Sequence, residues 1–169
     1  MKSQPSRAFF EKGDYLVTKI DPIYFDKQIY ALYRAVWERW GDDAWYVVWR
    51  SGEVLLSEIE AELDLELDAD PFTAMQRLAD YLQQVGYVQE IAVRPLSKDE
   101  WEYEMVDPVI LPGAKRLLDE GAVPAHISTT LMFALLKRFG LKAEMVGDPD
   151  LRADGRAIER WRLVPLAEA

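Results

Sequence analysis

Apolar residues recur at spacings of four and three over Phe25, Ile29, Leu32, Val36 and Trp40, and Tyr33 and Trp37 widen the stripe. That spacing marks one face of an α-helix. Asp21-Pro22 provides an N-cap and a first helical position and Gly41 a stop, so the pattern predicts a helix over 22–40. The next unit, 44–63, is WYVVWRSGEVLLSEIEAEL after Ala44. It reads as a helix interrupted or loosened at Ser51-Gly52, because Gly inside a helix costs ~1 kcal/mol against Ala. Gly52 marks either a turn between two short helices or a close approach by another backbone or a ligand. From Glu58 to Asp70 acidic and apolar residues alternate, which is the period of a strand. The helical stripe Leu55, Ile59, Leu63 overlaps it, so the helix is expected to end near Leu63 with an extended, solvated acidic segment after it.

Asp70 and Pro71 open the clearest helix. Phe72, Met75, Leu78, Ala79, Leu82 and Val85 form its inner stripe, and Gly86 ends it. Tyr87–Arg94 then reads as a strand, Ser97–Asp99 as a turn, and Glu100–Val106 as a strand with Trp101, Tyr103 and Met105 on one face and glutamates on the other. Such alternation belongs to a half-buried antiparallel hairpin. The stretch 107–121 starts as a loop through Pro108, Pro112 and Gly113, with a short helix over 114–120. A helix then carries His126, three adjacent hydroxyls (Ser128, Thr129, Thr130) and six apolar residues in a row, Leu131 to Leu136. Six in a row cannot share one helical face, so this helix is either covered on most sides or lines a cavity. Leu141–Val146 reads as a strand, 147–155 as a loop and Arg156–Leu166 as a closing strand. Helix–strand–strand therefore occurs twice in outline. In domain terms, 1–21 is expected as an N-terminal arm, 22–166 as a single domain and 167–169 as a tail.

Composition removes several function classes. The chain has 169 residues, a net charge of −10 and no Cys. The acidic balance argues against a nucleic-acid backbone or an anionic membrane surface as partner. Without Cys there is no disulfide framework, thiolate metal site or Cys nucleophile. No apolar stretch is long enough to predict membrane insertion, and no signal segment is read, so a cytoplasmic protein is the expectation. A winged-helix reading of 54–106 fails on charge, since Arg77 is the only cation in the would-be recognition helix.

Candidate chemistry is sparse. His126 and Ser128 lie close in sequence, but no G-x-S-x-G elbow exists, and a His near a helix start reads as hydrogen-bonded or exposed. Ser128–Thr130 are expected to satisfy backbone groups locally. Asp148, Asp150 and Asp154-Gly155 hint at a calcium loop, but Arg152 and Ala153 stand where a ligand and a Gly are needed. No catalytic residue, metal ligand or cofactor is assigned.

Three stretches together resemble one family. WRSGEVLLSEI (49–59) is similar to an aromatic–basic–Gly helix segment. ADYLQQVGYVQEIAV resembles a helix running into a hairpin. VPAHISTTLMFALLKRFGLKAEMV, a loop with Gly155 and RAIERWRLVPL resemble a closing helix, strand, loop and strand. The family is the 4-vinyl-reductase-type domain, related to the transport protein particle (TRAPP) subunits, and the resemblance covers roughly 22–166. It departs from the family in lacking Cys near the last helix and final loop, where His126 falls near the first, and the helix glycines near Thr129. No zinc or thiol role is carried over. The resemblance implies an α+β fold with helices packed on one face of an antiparallel sheet, and either binding of small apolar or aromatic molecules, help in tetrapyrrole reduction, or dimeric assembly.

The resulting expectation is a non-catalytic domain that binds an apolar or aromatic small molecule. Its wall is drawn from Tyr33, Trp37, Trp45 and Trp49 on the first helices and His126, Thr130 and Phe133 on the central helix, with His126 or Arg50 as polar anchor. The alternative is a dimeric interaction adaptor joined through the first helix pair, possibly serving tetrapyrrole metabolism. Homodimerisation through the wide aromatic stripe of 22–40 is expected in either case.

Overall fold

The fold was analysed in a computed structural model that describes residues 20–63 and 70–166. Residues 1–19 of the arm, 64–69 of the extended segment expected after Leu63 and the tail 167–169 lie outside the described residues.

Helix α1 (Pro22–Trp40) begins as its sequence dictates: Asp21 accepts a hydrogen bond from the Ile23 amide at 2.8 Å, and Pro22 occupies the first turn, where its missing donor costs nothing. Its inner stripe is rotated from the expected one. Tyr33 is buried, Trp37 is half-buried, and Leu32 and Trp40 are 57% and 48% exposed. The rotation follows from docking on α4 (Leu111–Asp119), where the Gly113 amide donates to Asp26 Oδ1 at 2.9 Å and the Tyr30 hydroxyl to Glu120 at 3.0 Å.

Helix α2 (Ala44–Ile59) runs through Ser51-Gly52 without a break. Gly52 lies against α5 (Ile127–Arg138): a Cβ at this position would sit 2.5 Å from the carbonyl carbon and oxygen of Thr130. The close approach is therefore the reason for the Gly. Helix α3 (Pro71–Gln84) is capped by Asp70, whose side chain accepts from the amides of Phe72 and Thr73 and from the Thr73 hydroxyl, and these bonds hold its carboxyl below the usual range.

The sheet has the order β1-β2-β5-β3, wholly antiparallel, from Glu90–Pro95, Glu100–Val106, Arg156–Pro165 and Leu141–Met145. A two-residue strand β4 (Asp150–Leu151), inside the stretch expected as a loop, also pairs with β5. β1 starts three residues later than expected, because Gly86 turns at φ 76° and the Tyr87 amide closes the end of α3 on the Leu82 carbonyl. α4 starts earlier than expected, since Pro112 sits in its first turn.

The helices pack on one face of this sheet, as an α+β fold. Alternation along β5 sends Ala157, Glu159, Trp161 and Leu163 inward, beside Trp101, Tyr103 and Met105 of β2. The outer face carries a lattice of ion pairs, including Arg94–Glu104 at 2.6 Å and Arg162–Glu100 at 3.2 Å. Helix α5 lies between α2 and the sheet. Leu131, Met132, Leu135 and Leu136 are at most 1% exposed, so of the two readings of the apolar run the covered one holds. A second cluster, under α1, gathers Tyr33, Ala44, Val48, Ile110, Leu117 and Val123.

Candidate functional site

One cavity of about 270 Å³ opens where α5 begins, a full turn before the apolar run. Each wall follows from local structure. α2 contributes Trp45 and Trp49, four residues apart and stacked at 5.6 Å. α4 contributes Leu111, Ala114 and Leu118. The segment leading into α4 adds Pro108 and Ile110, and the β3–β4 region closes the far side with Met145, Pro149 and Leu151. The sheet supplies Met105, Ala157 and Glu159 as a floor, and the first turn of α5 supplies His126, Ser128 and Thr129. Most of this wall is apolar; its polar groups are Glu159 at the floor, His126, Ser128 and Thr129 at the helix start and Asp148 in the β3–β4 region.

Glu159 is the centre of that polar end. It is only 4% exposed, on the inward phase of β5, directly across from Tyr103 of β2. Thr129 Oγ1 donates to it, 3.1 Å from both carboxyl oxygens, and Trp161 Nε1 donates to Oε2 at 3.0 Å. His126 Nδ1 stands 3.7 Å from Oε1, beyond a hydrogen bond, while its ring stacks on Trp45 at 5.8 Å. The hydroxyls of α5 are thus used differently from the local bonding expected. Thr129 reaches the sheet, Ser128 donates to Met105 Sδ at 3.3 Å, and only Thr130 bonds locally, to the Ile127 carbonyl.

Two phenols sit beside this end. Burial pushes Tyr87 and Tyr103 well above the usual tyrosine value. The Tyr103 hydroxyl meets no partner at full hydrogen-bond geometry among the described residues; the Ser128 hydroxyl lies near enough for a loose bond that opposes the rise, and the Glu159 charge adds to it.

Of the eight residues expected to form a ligand wall, the structure brings Trp45, Trp49 and His126 together on the cavity. It places the other five elsewhere. Tyr33 and Trp37 pack in the second cluster beneath α1. The Arg50 side chain is 57% exposed and pairs outside with Glu53 at 2.5 Å. Thr130 lies under Gly52 at the helix crossing. Phe133 is half-buried, stacking on Trp49 at 5.3 Å and meeting Trp161 edge-on at 5.1 Å. Of the run 131–136, Leu131, Met132, Ala134, Leu135 and Leu136 are buried and Phe133 is half-buried, and the open space lies at Ser128 and Thr129. Sequence reasoning missed Glu159. The signal was present, because Ala157, Glu159, Trp161 and Leu163 share one phase of a strand, which points a carboxylate inward.

No protein-family model and no curated protein sequence matches the chain. Solved structures do resemble it. One is a trafficking protein particle complex subunit 3 from Naegleria fowleri, covalently bound to palmitic acid. It has a TM-score of 0.56 and 14% identity, covering 87% of this chain and 98% of that one. An F78L variant of an H-NOX domain has a TM-score of 0.54 and 16% identity over 94% of this chain and 81% of its own. An oxygen-binding H-NOX domain related to soluble guanylate cyclases has a TM-score of 0.53 and 14% identity over the same shares. At these identities the likeness is one of fold.

Proposed function

We propose that the chain is a single domain over 22–166 that binds a small apolar or aromatic molecule in the cavity at the start of α5, without a catalytic residue of its own. The observation that carries this reading is the cavity itself: an apolar wall about a few convergent polar groups, which is the usual make-up of a small-molecule site. Trp45, Trp49 and His126 are the wall residues we assign to ligand contact. The palmitate-bound TRAPP subunit supports the reading as a chain of like fold with an apolar occupant.

The test is uptake of an apolar naphthalene probe, followed by Trp fluorescence, in the parent protein and in Ala114→Leu. Ala114 lines the cavity, so added carbon fills open space at little cost, whereas overpacking a solid core costs ~1–3 kcal/mol. Saturable binding by the parent that weakens in a stably folded Ala114→Leu supports the site. An absence of binding by the parent, with strong destabilisation of the variant, refutes it.

The dimeric adaptor is a second reading, favoured by one observation. Ile23, Tyr24 and Leu32 on α1 and Tyr46 on α2 are 57–74% exposed. Sedimentation that gives only monomer at high micromolar concentration refutes it.

A further inference from the structure

We propose that the occupant of the cavity carries a positively charged, hydrogen-donating head, an amine or amidine on an apolar or aromatic body, and that Glu159 receives that head. The inference rests on the cavity being a ligand site and specifies what it selects.

Charge is the first argument. No Lys or Arg is among the described residues that line the cavity, whereas Glu159 and Asp148 both do. Among the described residues the ion-pair partner of Glu159 is His126 alone, at 3.7 Å, too far for a hydrogen bond. A buried carboxylate needs a paired charge and filled acceptor sites. Thr129 and Trp161 fill only part of the roughly four acceptor sites that two carboxyl oxygens offer. The remaining capacity lies at the cavity floor, where an N–H donor can use it.

The walls make the second argument. Trp45, Trp49 and Tyr87 line the same space. The two Trp rings are already stacked on each other, on His126 and on Phe133, so their part is to keep water from Glu159, which strengthens its attraction for a cation. An anionic head would face the Glu159 and Asp148 carboxylates with no Lys or Arg among the described lining residues to offset them. Arg50, next to Trp49 in the chain, is turned outward to Glu53.

Three probes of matched shape separate the head from the body: naphthylmethylamine, ethylnaphthalene and naphthoic acid, titrated by calorimetry into the parent protein and Glu159→Gln. The amine is expected to bind at least about tenfold more tightly than ethylnaphthalene, the ratio of one charge-assisted bond. The acid is expected to bind most weakly. Glu159→Gln should erase the amine's advantage over ethylnaphthalene. Equal binding of all three probes, or tightest binding of the acid, overturns the head assignment while the cavity reading stands. An amine preference that survives in Glu159→Gln overturns the role of Glu159. Binding of none of the three overturns the cavity reading and this inference with it. If Glu159→Gln does not fold, the ranking in the parent still decides between amine and acid.

Discussion

Gly52→Ala tests how the helical layer is built. α2 packs on α5 in the most extensive helix–helix interface among the described residues, and Gly52 lies in it directly against the Thr130 backbone. The new Cβ would lie 2.5 Å from the carbonyl carbon and oxygen of Thr130 and 2.7 Å from its Cβ, against an ordinary contact of 3.4 Å or more. None of these atoms ends a flexible side chain, so α2 and α5 must part by roughly 1 Å, loosening Leu56 and Leu131 from native packing density. Overpacking of this kind costs up to ~3 kcal/mol. Ala gains ~1 kcal/mol over Gly in helix propensity. The net expectation is a loss of about 2 kcal/mol, which lowers Tm by roughly 4–8 °C in a chain of this size. Urea and thermal unfolding measure it, with Val54→Ala on the exposed side of α2 as a control expected to change little. A Gly52→Ala protein as stable as the parent, or more stable, would refute the close crossing, because propensity alone would then be deciding the outcome.

Thr129→Val keeps the shape of the side chain and removes a donor from a buried carboxylate; unfolding should show a loss of ~1–3 kcal/mol. An unchanged midpoint would mean that Glu159 does not depend on this bond. At alkaline pH, Tyr87 and Tyr103 have folded values raised by burial, so their contribution is intact below about pH 10 and is lost as pH rises above it. Chemical denaturation across that range should show falling stability, and Tyr103→Phe should flatten the fall. At acid pH, bonds from Arg94 and Arg156 hold Glu104 below its usual value. Its contribution is intact above about pH 4.3 and is lost as pH falls through the folded value, so Glu104→Gln should reduce the acid-limb slope.

Much of the fold could be read from the sequence because periodicity and caps act locally. Asp21-Pro22 and Asp70-Pro71 set helix starts, and the Glu100–Val106 alternation set a strand whose inner residues are Trp101, Tyr103 and Met105. The orientation of α1 was not legible, since a stripe as wide as Phe25 to Trp40 allows several rotations. The Asp26 and Tyr30 contacts to α4, more than eighty residues away, select one. The site was legible in part for the same reason. Trp45, Trp49 and His126 meet because a helical i,i+4 pair faces the start of α5. Phe133 and Thr130 share that helix but face the packed α2 and sheet, a difference of rotation that the unbroken apolar run conceals. Glu159 required knowing which phase of β5 points inward, and its partners Thr129 and Trp161 are fixed only by tertiary packing.

Amide chemical-shift mapping by NMR during titration with ethylnaphthalene tests the cavity most directly. Saturable shifts are expected on Trp45, Trp49, Ala114, His126, Ser128 and Glu159, with the exposed face of α1 unaffected. Shifts confined to α1 around Tyr24 and Leu32, or no saturable shifts at all, would contradict the cavity reading.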